Sequence, residues 1–108
     1  MTTTPDLYAE FRRGDFLLEL GQPAEAARVL APVVAAAPEH TGALELYARA
    51  LFASAQLRRA EEALRTLVDR RPDDGWARIA LARVLERQSR PADAAEHRRL
   101  AQALGQAA

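Results

Sequence analysis

The sequence predicts an all-α fold of six helices arranged as three antiparallel helix-turn-helix hairpins. Three observations carry this expectation. The composition is dominated by strong helix formers, key residues recur every 34 positions, and prolines, glycines and capping residues cut each period into two helical stretches. Alanine, leucine, arginine and glutamate predominate, while aromatic residues make up only 6% of the chain. Such usage favours helix over strand. At 108 residues the chain is expected to form a single domain spanning residues 1–108.

The helix boundaries follow from local chemistry. Thr4 before Pro5 reads as an N-cap with a first-turn proline, and Gly21 as the stop that ends the first helix. Pro23 opens the second helix, which runs to about Ala37. His40-Thr41 and Asp73-Asp74 start the third and fifth helices. Ala55-Gln56 and Ser89-Arg90 divide the later pairs, and Gly105 ends the sixth. Six helices of roughly 13 to 16 residues joined by very short turns give successive antiparallel hairpins. Pro32 conflicts with this pattern. Inside the second helix it removes a backbone donor and is expected to bend the helix, at about 3 kcal/mol unless packing compensates.

The 34-residue offset links Pro38 with Pro72, Ala26 with Ala60 and Ala94, and Leu17 with Leu51 and Leu85. It also links Leu30 with Leu64, Ala48 with Ala82 and Arg49 with Arg83; at twice the offset, Pro23-Ala-Glu-Ala-Ala returns as Pro91-Ala-Asp-Ala-Ala. The repeats run over about residues 5–40, 41–74 and 75–108.

This spacing resembles the tetratricopeptide repeat, with its W-x2-L-G-x2-Y, A-x3-F and P pattern. The second period fits best, with Leu44, Tyr47, Ala48, Leu51, Ala60, Leu64 and Pro72 at the matching sites. The first departs at Glu10 and Arg13 but keeps Gly14, Leu17, Ala26, Leu30 and Pro38. The third keeps Leu81, Ala82, Leu85 and Ala94 and departs at Arg98 and Gln106. Departures at the ends suit terminal repeats, one side of which meets water. The last helix is expected to present Glu96, Arg98, Arg99 and Gln102 as its own polar cover. The resemblance implies a short α-α superhelix, a solenoid whose first helices line a concave groove, and a non-catalytic protein-binding function.

Within each first helix the small and apolar stripe, with Gly14, Leu17, Ala48, Leu51, Ala82 and Leu85, is expected to pack. The other stripe, at 3-4-3 spacing, then faces the implied groove. It holds Tyr8, Phe11, Asp15 and Leu18 in the first period, Gly42, Glu45, Arg49 and Phe52 in the second, and Trp76, Ile79, Arg83 and Glu86 in the third. So much apolar area on a water-facing stripe points to contact with a peptide or partner segment. The alternative for Phe11, Leu18 and Ile79 is packing between helices. Arg49 and Arg83 either guide an acidic group or pair with Glu45 and Glu86. A carboxylate clamp of the co-chaperone kind is disfavoured, since the chain has no lysine or asparagine.

Other function classes find little support. With no cysteine there is no thiolate nucleophile, disulfide or thiolate metal site. His40 and His97 are far apart in sequence, and Ser54 and Ser89 sit at helix ends where capping explains them, so no enzyme activity, metal or cofactor is expected. The formal net charge is zero, which argues against nucleic acid; the longest apolar run, Val29 to Pro38, is too short for a membrane span. A cytoplasmic protein is expected. Residues 1–54 carry 4 arginines and 7 acidic residues, and 55–108 carry 11 and 8, about −3 against +3. This polarity supports self-association into a homo-oligomer as the alternative to partner binding.

Overall fold

The computed structural model describes residues 6–106. They form α1 (Leu7–Glu19), α2 (Pro23–Ala36), α3 (Thr41–Ala53), α4 (Leu57–Arg70), α5 (Gly75–Arg87) and α6 (Pro91–Ala103), with no strand among the described residues. The all-α, six-helix expectation is met.

Helix starts alternate in kind. The expected Thr4–Pro5 start lies outside the described residues. Asp6 caps the described helix α1, its Oδ1 accepting from the N–H of Tyr8 at 3.1 Å and of Ala9 at 3.3 Å. His40 caps α3 through Nδ1, which accepts from Ala43 N–H at 3.0 Å, and Asp74 caps α5 by accepting from Ala77 N–H at 3.1 Å. Helices α2 and α6 begin instead with Pro23 and Pro91, where a missing N–H costs nothing. Pro32 sits within α2 with its ring exposed, four residues after the equally exposed Arg28. The helix continues through it to Ala36.

The turns repeat as faithfully as the helices. Gly21, Ala55 and Ser89, each 34 residues apart, all adopt the left-handed conformation, with φ of 73°, 57° and 61°. At the first turn Gln22 N–H donates to Leu17 C=O at 2.9 Å and Gly21 N–H to Leu18 C=O at 3.0 Å. At the third, Arg90 and Ser89 make the same bonds to Leu85 and Glu86, both at 2.9 Å. Gly105, with φ of 90°, ends α6 in the same way. A left-handed residue is easiest for glycine, so Ala55 and Ser89 hold a conformation their side chains resist.

The chain divides into two compact units between Ser54 and Ala55. In the first, α2 packs against both α1 and α3. Gly14 allows the α1–α2 approach, because a methyl group there would overlap the Leu30 side chain, itself fully buried. In the second unit α5 packs against α4 and α6, over a core that includes Leu64, Leu67, Leu81, Val84 and Leu85. The packing stripe read from sequence is buried at Gly14, Ala48, Leu51, Ala82 and Leu85, and half-buried at Leu17.

No polar or charged residue is buried among the described residues. Charge instead clasps the second unit from outside. Glu61 on α4 accepts from Arg65 Nε at 3.0 Å, from Gln88 Nε2 at 3.0 Å and from Arg90 Nη1 at 2.9 Å. It thereby ties α4 to the α5–α6 turn. Partial burial pushes the Glu61 carboxyl upward, but the hydrogen bonds from Arg65 and Gln88 and the charges of Arg90 and Arg65 outweigh it and hold the group below its ordinary value.

Three substitutions test these contacts through denaturant midpoints. Gly14→Ala is expected to lower stability by about 1–2 kcal/mol, overpacking against Leu30 outweighing the gain in helix propensity. Ala55→Gly is expected to raise it by roughly 0.5–1 kcal/mol. Glu61→Gln is expected to cost about 1 kcal/mol at neutral pH, a value reduced for solvent screening. A carboxyl lowered on folding stabilises fully above its unfolded value, near 4.5, and loses that effect as pH falls through the folded one. Wild type and Glu61→Gln should therefore converge in acid.

Candidate partner-binding site

On the first unit, α1 places the residues of the water-facing stripe in unequal settings. Tyr8 is 68% exposed, with the Arg12 guanidinium 5.9 Å from its ring centroid. Asp15 is exposed, whereas Phe11 and Leu18 are half-buried. The Phe11 ring lies 5.7 Å from the His40 ring at a tilt of 54°, within the distance of ring–ring contact. On α3, Glu45, Arg49 and Phe52 are half-buried, and Arg49 Nη2 donates to Glu45 Oε1 at 3.3 Å. The ion-pair alternative therefore describes Arg49, which leaves its charge largely neutralised by its own helix.

On the second unit, α5 brings Trp76 to a half-buried position and leaves Arg83 exposed. Ile79 is only 5% exposed, so the structure assigns it to the core and corrects its place on the water-facing stripe. Residues three or four apart still differ by roughly 40–60° around the helix axis, enough to bury one member of a stripe while its neighbours stay at the surface. The Arg83–Glu86 pairing is replaced as well. Glu86 accepts from Arg98 on α6 instead, including Nε at 3.2 Å. Arg98 is thus spent within the unit, whereas Glu96, Arg99 and Gln102 are exposed as expected of the last helix.

Three features lie beyond the sequence-derived set. The first is an apolar cavity of about 330 Å³ where the start of α1, the end of α2 and the start of α3 meet, lined by Leu7, Tyr8, Phe11, Val33, Ala37, His40 and Ala43. The second is a group of exposed apolar side chains, Phe16 (58%) and Leu20 (53%) in the α1 region and Leu100 (39%) and Leu104 (42%) in the α6 region. Their signal was present in the four-residue spacing of Tyr8, Arg12, Phe16 and Leu20. The third is His97, half-buried beside Arg78, with Nδ1 3.3 Å from Arg78 Nη1. Burial, then the charges of Arg78 and Arg65, lower the imidazole below its ordinary value. It is therefore neutral at pH 7, and Nδ1 accepts from the guanidinium. Among the described residues, no group of three or more His, Asp and Glu residues is placed to hold a metal ion, and no helix is long and apolar enough to cross a membrane.

Comparison with known proteins agrees with this architecture. Two family models described as tetratricopeptide repeat match the chain, one over residues 17–75 and the other over 48–108. Among solved structures, MamA 41-end from Desulfovibrio magneticus RS-1 is 32% identical, with a TM-score of 0.79 over 92% of this chain and 56% of that one. The MamA RS-1 ArsTM double mutant is also 32% identical, with a TM-score of 0.80 and the same coverage. Another MamA variant, at 17% identity and a TM-score of 0.86, covers 94% of this chain and 59% of that one and shows the fold alone. The chain thus spans little more than half the length of these MamA chains. No curated protein matches. With helix-turn-helix pairs at a 34-residue period, left-handed turns in register and two family models over residues 17–108, the chain belongs to the tetratricopeptide repeat family.

Proposed function

We propose that this chain is a non-catalytic protein-interaction module that holds a segment of another protein. The observation that carries this reading is that each unit leaves aromatic side chains accessible, Tyr8 at 68% exposure with Phe11 and Phe52 half-buried on the first and Trp76 half-buried on the second. Tyrosine, tryptophan and phenylalanine supply large contact areas with few rotatable bonds, which is why they anchor interfaces. Asp15, Leu18, Glu45, Arg49 and Arg83 complete the contact residues, each unit contributing its own. A protein partner also suits a formal net charge of zero, which gives no electrostatic pull toward nucleic acid, and a chain without cysteine suits the reducing cytoplasm.

A second reading, self-association, is favoured by Phe16 and Leu20 near α1, Leu100 and Leu104 near α6, and the opposite net charges of the two halves of the sequence. Large apolar side chains left exposed on each unit mark an interface more often than a bare surface.

Replacing Phe52 and Trp76 together by alanine is expected to weaken partner binding by at least about thirtyfold while far-UV circular dichroism stays unchanged. Binding that survives the double substitution would remove these rings from the interface. For self-association, light scattering should show a mass that rises with concentration and falls with added salt. A monomer under every condition rejects the second reading.

A further inference from the structure

We propose that the cavity between α1, α2 and α3 is a socket for one bulky apolar side chain, of leucine or phenylalanine size, carried on a peptide segment of a protein partner. This rests on the interaction reading above but assigns a site outside the rings of α3 and α5.

Size sets the first limit. An apolar cavity of about 150 Å³ holds a benzene molecule. The volume of about 330 Å³ here takes one ring or branched aliphatic side chain with the backbone beginning at its mouth. Chemistry sets the second. Val33 and Ala43 are buried, at 4% and 1% exposure, and form a hydrocarbon floor, with the Phe11 ring beside them. No buried countercharge exists among the described residues, so an ammonium or carboxylate entering the cavity loses its water without compensation.

The polar atoms of the lining suit an occupant carried on a peptide. Tyr8 and His40 are the exposed members of the lining, and both carry polar atoms. Because His40 Nδ1 accepts from Ala43 N–H, the neutral ring carries its proton on Nε2. That nitrogen is a donor suited to a peptide carbonyl next to the inserted side chain, and the Tyr8 hydroxyl can donate or accept. A pure hydrocarbon would use neither. The socket is also set in place before any ligand arrives. The capping bond fixes the His40 ring, the tilted Phe11 ring packs against it, and His40 N–H donates to Ala37 C=O at 3.0 Å. A preformed site loses little entropy on binding.

The test is a methyl-detected NMR titration of the whole chain with N-acetyl-phenylalanine amide, N-acetyl-leucine amide, N-acetyl-lysine amide and toluene. The first two should give saturable shifts at the Val33 and Ala43 methyl groups. The lysine probe and toluene should bind at least roughly tenfold more weakly, through the cost of burying charge and the loss of the mouth hydrogen bonds respectively. Ala37→Phe, which fills the cavity, should abolish the shifts. His40→Asn keeps a capping acceptor, so the helix start survives, but it removes the ring wall and should weaken binding several-fold. No saturable shift at Val33 and Ala43, or undiminished binding in both variants, overturns the socket. Toluene binding as well as the phenylalanine probe overturns the peptide assignment. The Phe52/Trp76 double variant should still bind the probes, so failure of the socket and failure of the wider interaction reading are told apart.

Discussion

Close approach of helix backbones at small residues is the constraint from which the rest of this structure follows. Gly14 is the clearest case, since a single methyl group there would overlap the buried Leu30 side chain. Ala48 and Ala82, at the same position of the later periods, are fully buried. Helices this close leave gaps that alanine and leucine fill, and the largest fully buried side chains are six leucines and one valine. Such a core has little space for a ring. The large rings accordingly lie at its edges, half-buried like Phe11, Phe52 and Trp76 or exposed like Tyr8 and Phe16. The same tightness that stabilises the hairpins thus supplies the apolar surface on which partner binding is proposed.

Charge has to follow this geometry. With no room to hydrate an ion inside, every charged side chain stays at the surface, and the pairs that join different helices do so around the rim of the core. Glu61 is the most connected of them and binds the turn that begins at Gln88. Pairs such as Arg49 with Glu45 stay within one helix and add little stability, because water competes for both partners. Their effect is to cancel charge locally, which leaves the neighbouring aromatic surface to decide what binds.

The candidate site shows how far one-dimensional spacing reaches. Tyr8 and Phe11 on α1, Phe52 on α3 and Trp76 on α5 were legible because helical periodicity sets each apart from the packing stripe of its own helix. Ile79 shares that periodicity and is nonetheless buried, since the width of a buried face depends on how the neighbouring helices are rotated. Val33, Ala37, His40 and Ala43 gave no separate signal. They come from two helix ends and a turn, and only their meeting with the start of α1 makes a cavity.

By itself the sequence determined what is settled within about one helical turn. It marked helix starts at Pro23, His40 and Asp74, the division at Ser89-Arg90, stops at Gly21 and Gly105, and the stripe of small residues that packs. The starts and stops depend on backbone groups within three to five positions, and the stripe on the 3.6-residue helical period. Tertiary structure alone decided the exchange of Glu86 from Arg83 to Arg98 and the reach of Glu61 to Gln88 and Arg90. Those outcomes depend on the distance and rotation between packed helices. Local propensity and spacing do not encode either quantity; the mutual fit of side chains across the interface sets both.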